Sequence, residues 1–287
     1  MNQGIASAYR DRWACLATMH HKEAAIALPF ADRLGLSLVV PELDTDQLGT
    51  FSGEVDRQGT ALQTAVRKCQ LGMMCSGLPF GIASEGSFGP DPVIPFVTLN
   101  VEVMVFIDEE RGITVHDGLL SHETNFAHVV AGAIEPLESF LEQVRFPSHA
   151  LVVRPNVRQS SSSIFKGVRD FDALMTALAA CSRDSEDGMA WVETDMRAHM
   201  NPTRMGQIAR LAERLAERLA TPCPHCGCPG WGKTGVEIGL PCEYCETETQ
   251  LVRVEVFSCA ACQRRDTFPR SDGLCFAEPV NCPYCNP

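Results

Sequence analysis

The sequence is poor in positive charge. Its 24 lysines and arginines stand against 36 aspartates and glutamates, a formal charge of −12 at neutral pH. That balance argues against a nucleic-acid backbone as main partner, since such binding rests on a basic surface. Long apolar runs are missing as well. Nothing approaches the roughly 18–20 apolar residues of a membrane span, so no membrane partner is expected. The first residues, MNQGIASAYRDRWACLATMHHK, lack the basic start and apolar centre of an export signal. No long low-complexity run appears, and 45% hydrophobic residues over 287 positions describe a globular chain of one large or two ordinary domains. The expected compartment is a reducing cytoplasm.

Cysteine is what the chain has in quantity, with 14 residues. In a secreted protein they would suggest disulfides. Here most fall in CxxC pairs without an export signal, which points to metal instead. Four knuckles follow residue 221: Cys223/Cys226, Cys242/Cys245, Cys259/Cys262 and Cys282/Cys285. Two intervening residues let both thiolates reach one ion, and two knuckles complete a tetrahedral site of four cysteines. The expectation is two structural Zn²⁺ ions in a small double zinc-ribbon domain over residues 221–287. Sequential, nested and alternating pairings of the knuckles all remain open. Cys228, Cys275, Cys15, Cys69, Cys75 and Cys181 read as buried or spare thiols. The tail sets Lys233, Arg253, Arg264, Arg265 and Arg270 against eight acidic residues, so it lacks the basic face of a nucleic-acid-binding ribbon.

Residues 1–220 read as an α/β domain, a mixed sheet with flanking helices. Apolar runs at Trp13–Thr18, Leu36–Pro41, Phe80–Ser84 and Val101–Ile107 suggest strands. Glu23–Leu34 has helical period, with Pro29 expected to kink or split it. Thr60–Gly72 is a second helix. The last helix begins with Asn201 as cap and Pro202 in its first turn, and runs to about Ala220 with Ile208, Leu211, Leu215 and Leu219 on one stripe.

Two polar constellations carry candidate chemistry. The first spans Asp44–Pro90, where two glycine-punctuated loops flank one helix. Gly86, Ser87 and Gly89 in the second loop would let backbone N–H groups cradle an anion. Asp44, Asp46, Glu54, Asp56 and Glu85 would hold a Mg²⁺ ion over it. Any one of them reads equally well as a solvated loop carboxylate. The second constellation is DMRAHMNPTRM, where Asp195, Arg197, His199, Asn201 and Arg204 surround a helix start, a natural anion site. A capped helix with an Arg–Asp pair explains the same residues. His122 and His128 in SHETNFAH are six apart and do not form the zinc-protease pair.

Nearly the whole chain resembles an uncharacterised bacterial family described only as a domain of unknown function. The segments ATMHHKE, DTDQLGTFSGEVDR, ASEGSFGP, TDMRAHMNPTRM and CPYCNP carry that likeness. Residues 13–130 distantly resemble the inosine triphosphate pyrophosphatase and Maf-like superfamily of nucleotide phosphohydrolases, through LATMHHKEAAI, GTALQTAVRK and IASEGSFG. By that resemblance Lys22 would hold phosphate, Glu54 or Glu85 would bind Mg²⁺, and Glu85 would activate water. The sequence departs from the superfamily at His20 or His21, where an asparagine is usual, and at the single Glu85.

The leading reading is therefore a Mg²⁺-dependent hydrolase of a phosphate-containing small molecule such as a nucleotide. Lys22, Glu54, Arg57, Glu85, Arg197 and His199 would line its site. The rival is a non-catalytic zinc-ribbon adaptor or ligand-binding protein. Convergence of Lys22, Glu54 and Glu85 with Arg197 and His199 in one place separates the two.

Overall fold

The computed structural model describes residues 8–43, 59–134, 137–157 and 164–287. The protein is mixed α/β, with two sheets ahead of the cysteine-rich tail. The first sheet has the order β2-β1-β3-β4-β5, formed by β1 (Arg12–Leu16), β2 (Leu36–Val39), β3 (Phe80–Pro90), β4 (Thr98–Asp108) and β5 (Ile113–Ser121). β2, β1 and β3 are parallel, while β3, β4 and β5 are antiparallel. Alternation along each strand divides the apolar residues between two faces. On one, Leu16, Ile82, Met104 and Phe106 share a core with helices α1 (Glu23–Leu34) and α5 (Pro202–Ala220). On the other, Cys15, Ala83, Val105 and Ile107 pack against α2 (Ala61–Ser76).

The second sheet is wholly antiparallel in the order β6-β9-β7-β8. Its strands are β6 (His128–Ala131), β7 (Leu151–Pro155), β8 (Phe165–Val168) and β9 (Ala190–Thr194). Helices α3 (Glu138–Gln143) and α4 (Phe171–Arg183) close its own core, which includes Leu137, Phe140, Leu141, Leu174 and Leu178. The tail adds three antiparallel strands, β10 (Gly232–Ile238), β11 (Val252–Ser258) and β12 (Arg265–Pro269). No helix among the described residues is long and apolar enough to cross a membrane.

Caps follow local chemistry. Thr60, Asp170 and Asn201 each accept a backbone N–H from the first turn of α2, α4 and α5. Pro29 does not split α1, which runs on to Leu34. Burial of Ile26, Phe30 and Leu34 in the shared core outweighs the hydrogen bond that proline cannot donate. The glycine-rich stretch Glu85–Pro90 is not a loop. It continues β3, paired in register with β4 from Gly86 opposite Glu102 to Pro90 opposite Thr98. Gly86, Ser87 and Gly89 therefore belong to a sheet ladder rather than an anion cradle. Strand pairing wins because β4 supplies a partner along the whole stretch.

The stripe on α5 is core as expected, with Ile208, Leu211 and Leu215 fully buried. Leu211→Ala should cost about 2–5 kcal/mol in denaturant unfolding. A loss below about 1 kcal/mol would place the stripe outside the core.

Candidate functional site

Parallel strands bring their carboxyl ends, and the loops that follow, to one edge of a sheet, where α/β proteins bind ligands. Here β1 delivers Thr18–Lys22 into the start of α1, and β3 continues beyond the end of β1. Lys22 lies buried at the N-terminus of α1. Its ammonium donates to the Ser84 carbonyl at 2.9 Å and to the Ser84 hydroxyl at 3.0 Å. The next residue, Glu85, forms an ion pair with Lys68 of α2. Alternation along β3 explains the split, since successive side chains leave opposite faces of the sheet.

Two residues beyond Ser84, the missing side chain of Gly86 makes room for a buried ion pair. Arg204, in the first turn of α5, donates to Glu102 of β4 at 2.7 and 3.3 Å, and to the Met196 carbonyl. Neither side chain of the pair has any solvent exposure. A Cβ at Gly86 would come within 2.5 Å of both Arg204 Nη2 and Glu102 Oε1.

The segment between β9 and α5 completes the site. Asp195, 1% exposed, accepts from the Arg197 guanidinium at 2.6 Å and from the Gly167 backbone at 3.1 Å. The His199 ring stacks on His20 with centroids 5.3 Å apart, and meets the edge of His21 at 5.5 Å. The buried Nδ1 of His199 has no hydrogen-bond partner among the described residues.

The electrostatics are those of a partly buried basic cluster. Burial first, then Lys22, His199, Arg204 and Arg197, pushes His20 down to about 3. His199 is lowered by burial and by Arg197. Lys22 falls to about 8, chiefly because burial disfavours its charge, with Arg204 adding to the effect and Glu85 and Glu102 opposing it. Both imidazoles are therefore neutral at pH 7, and Lys22 holds its proton only loosely.

Of the residues singled out in the sequence, Lys22, Arg197 and His199 come together around His20, while Glu85 leaves the opposite face of β3 and pairs with Lys68. Asp44, Asp46, Glu54, Asp56 and Arg57 lie outside the described residues. Sequence reasoning missed Ser84, Lys68 and Glu102. Glu102 carried a signal: in VEVMVFI it is in phase with the core residues Met104 and Phe106, and an inward carboxylate demands a buried cation. The described carboxylates of the site do not fit Mg²⁺, because Glu85 and Glu102 are each engaged by a cation of a neighbouring helix. Among the described residues the only groups arranged to hold a metal are cysteines.

Those cysteines form two closed clusters, Cys223, Cys226, Cys259 and Cys262 in one and Cys242, Cys245, Cys282 and Cys285 in the other. The pairing is alternating. Sulfur–sulfur distances between knuckles run from 3.4 to 3.9 Å. These are far beyond a disulfide bond and match the edge of about 3.8 Å of a tetrahedron with Zn–S bonds of about 2.3 Å. Backbone N–H groups turn toward Sγ of Cys242, Cys259 and Cys282, which offsets thiolate charge. Left-handed residues at Gly227, Glu246 and Gln263 close three of the knuckles. The first cluster is docked on the body, with Gly230 against Val115 of β5 and Arg218 donating to the carbonyls of Gly230 and His116.

A family described as Domain of unknown function (DUF6671) matches residues 68–287. The match takes in Ser84, Glu85, Glu102, Arg197, His199, Arg204 and both cysteine clusters, and begins after the loop that carries His20 and Lys22. No curated protein matches the chain.

Elemental analysis of the purified protein should give two zinc ions per chain. Cys242→Ser and Cys282→Ser should each remove the same single ion and leave the other, and loss of different ions would overturn the alternating pairing. Gly86→Ala should destabilise the protein by about 1–3 kcal/mol, the usual cost of overpacking. An unchanged unfolding midpoint would show that Arg204 and Glu102 give way without strain.

Proposed function

We propose that this chain, which belongs to the family described as a domain of unknown function, DUF6671, binds a phosphate-bearing small molecule at the carboxyl ends of β1 and β3 and hydrolyses its phosphate bond. A nucleotide is one such molecule. The observation that carries this reading is Lys22. It is a buried cation whose hydrogen bonds go to the two neutral oxygens of Ser84, beside two carboxylates already matched by Lys68 and Arg204. A cation in that position calls for an anion, because an uncompensated buried charge is costly. The N-termini of α1 and α5 add positive potential on the same side. Lys22 would neutralise phosphate charge, the two helix starts would orient it, and the neutral imidazole of His199 would hold a proton acceptor near it.

A second reading, a zinc-ribbon adaptor without catalysis, draws on one observation. The second cysteine cluster leaves Tyr244 and Tyr284, each within a knuckle, 83% and 76% exposed, and aromatic side chains are common anchors of protein interfaces.

Calorimetric titration with inorganic phosphate tests the binding step. A screen of nucleoside triphosphates and sugar phosphates with Mg²⁺ or Mn²⁺ tests the reaction. Lys22→Ala should weaken phosphate binding about tenfold or more, the loss of one hydrogen bond to a charged group. Protonated Lys22 binds the anion and neutral Lys22 does not, so affinity should fall as pH rises through about 8. Absence of both binding and hydrolysis would remove this reading and leave the adaptor in its place.

A further inference from the structure

We infer that Ser84 and Lys22 form a nucleophile–base pair, in which the Lys22 amine takes the proton of the Ser84 hydroxyl and the Ser84 oxygen attacks phosphorus. The inference deepens the phosphate reading and rests on it for the choice of electrophile. Ser84 Oγ lies 3.0 Å from Lys22 Nζ, within reach for direct proton transfer. The second bond, to the Ser84 carbonyl at 2.9 Å, fixes the amine. A neutral amine can give one hydrogen to that carbonyl and receive the hydroxyl proton on its lone pair, whereas an ammonium can only donate.

The surroundings lower the cost of the neutral form, which gains ground as pH rises toward about 8. Lys22 and Ser84 are 6% and 2% exposed. The charged and titratable groups acting on Lys22 include Arg204 from α5, Lys68 from α2, Glu85 from β3 and Glu102 from β4, with His20 and His199 beside the loop. Burial and the two cations outweigh the two carboxylates, which are held by those same cations. The positive end of α1 acts in the same direction. Farther along the same face of β3, at Gly86, the Arg204 guanidinium adds positive charge close to where negative charge develops.

The chemistry balances without a further reagent. As the Ser84 Oγ–P bond forms, the P–O bond to the leaving group breaks, and the proton held by Lys22 passes to the departing oxygen. In the second half Lys22 takes a proton from water, the water oxygen bonds to phosphorus, and the P–Oγ bond breaks as Ser84 regains its proton.

Diisopropyl fluorophosphate tests this on the full chain, because it reports on an activated serine whatever the natural substrate. Its P–F bond breaks as the Ser84 Oγ–P bond forms, and fluoride and a proton leave. Mass spectrometry of the digested protein should find the adduct on Ser84. The labelling rate should rise with pH as Lys22 loses its proton near pH 8, opposite in sign to the trend for phosphate binding. Lys22→Met should abolish labelling, with retained zinc content and circular dichroism showing that the variant is folded. No adduct at Ser84 in the wild-type chain, or undiminished labelling in folded Lys22→Met, would overturn the pair. If phosphate binds while Ser84 stays unlabelled, the pair falls and the phosphate reading stands. If Ser84 is labelled with the stated pH profile while phosphate neither binds nor is released from any ester, the pair stands and the phosphate-ester substrate falls.

Discussion

The buried Arg204–Glu102 pair is the constraint on which the rest of the body depends. Two charges with no solvent exposure lose several kcal/mol each in hydration, and their attraction offsets that loss only when the geometry is held. Holding it requires Gly86 to lack a side chain, the Met196 carbonyl to accept from Arg204, and Asn201 to cap the helix that carries Arg204. The pair therefore registers α5 against β4. From α5 the consequences spread in both directions. Its apolar stripe shares a core with α1 and the sheet, and its end positions the first cysteine cluster through Arg218.

The candidate site lies where the two sheets share a segment. Met196–Asn201 leaves β9 of the second sheet and enters α5, which packs on the first. Asn201 reaches Asn125 at 2.8 Å, and Asn125 in turn donates to the Val144 carbonyl beyond α3. Asp195 ties Arg197 to Gly167 of β8. Lys22 and His20 arrive from the first sheet, while Arg197 and His199 arrive from the strand that ends the second. Neither sheet assembles the cluster without the other. Its histidines are kept neutral by burial and by the same crowding of positive charge that lowers Lys22.

What is legible in the sequence is whatever depends on short-range chemistry. Asn201 before Pro202 and the Ile208–Leu219 stripe announce themselves because caps and amphipathic faces are local. The knuckle spacing announces a tetrahedral sulfur site for the same reason. Gly86 misleads because a glycine serves a tight turn and a close approach equally well, and only the position of Arg204 separates the two uses. Lys22 and Glu85 read as partners in one cleft, yet strand alternation sends Glu85 to Lys68 and leaves Lys22 to Ser84. Pairing of the knuckles is a long-range property. Cys223 meets Cys262 across 39 positions and Cys242 meets Cys285 across 43, and spacing within a knuckle carries no information about that choice.

The alternating pairing has a further consequence, for the order in which the tail is made. A zinc ion cannot tell one CxxC knuckle from another, so chemistry alone would accept any two. The strands do the sorting. β10 carries the chain from the Cys223 knuckle to the Cys242 knuckle, β11 carries it back to Cys259, and β12 sets out again toward Cys282. Seven residues of strand span about 23 Å, so consecutive knuckles stand at opposite ends of the meander and alternate ones share an end. Synthesis nevertheless releases the knuckles in sequence, and the first two to emerge are wrong partners for each other. An ion that bridges them early has to be surrendered when β10 and β11 zip together. The three-stranded sheet thus decides which knuckles share a site, and a metal ion in either cluster would lock that choice.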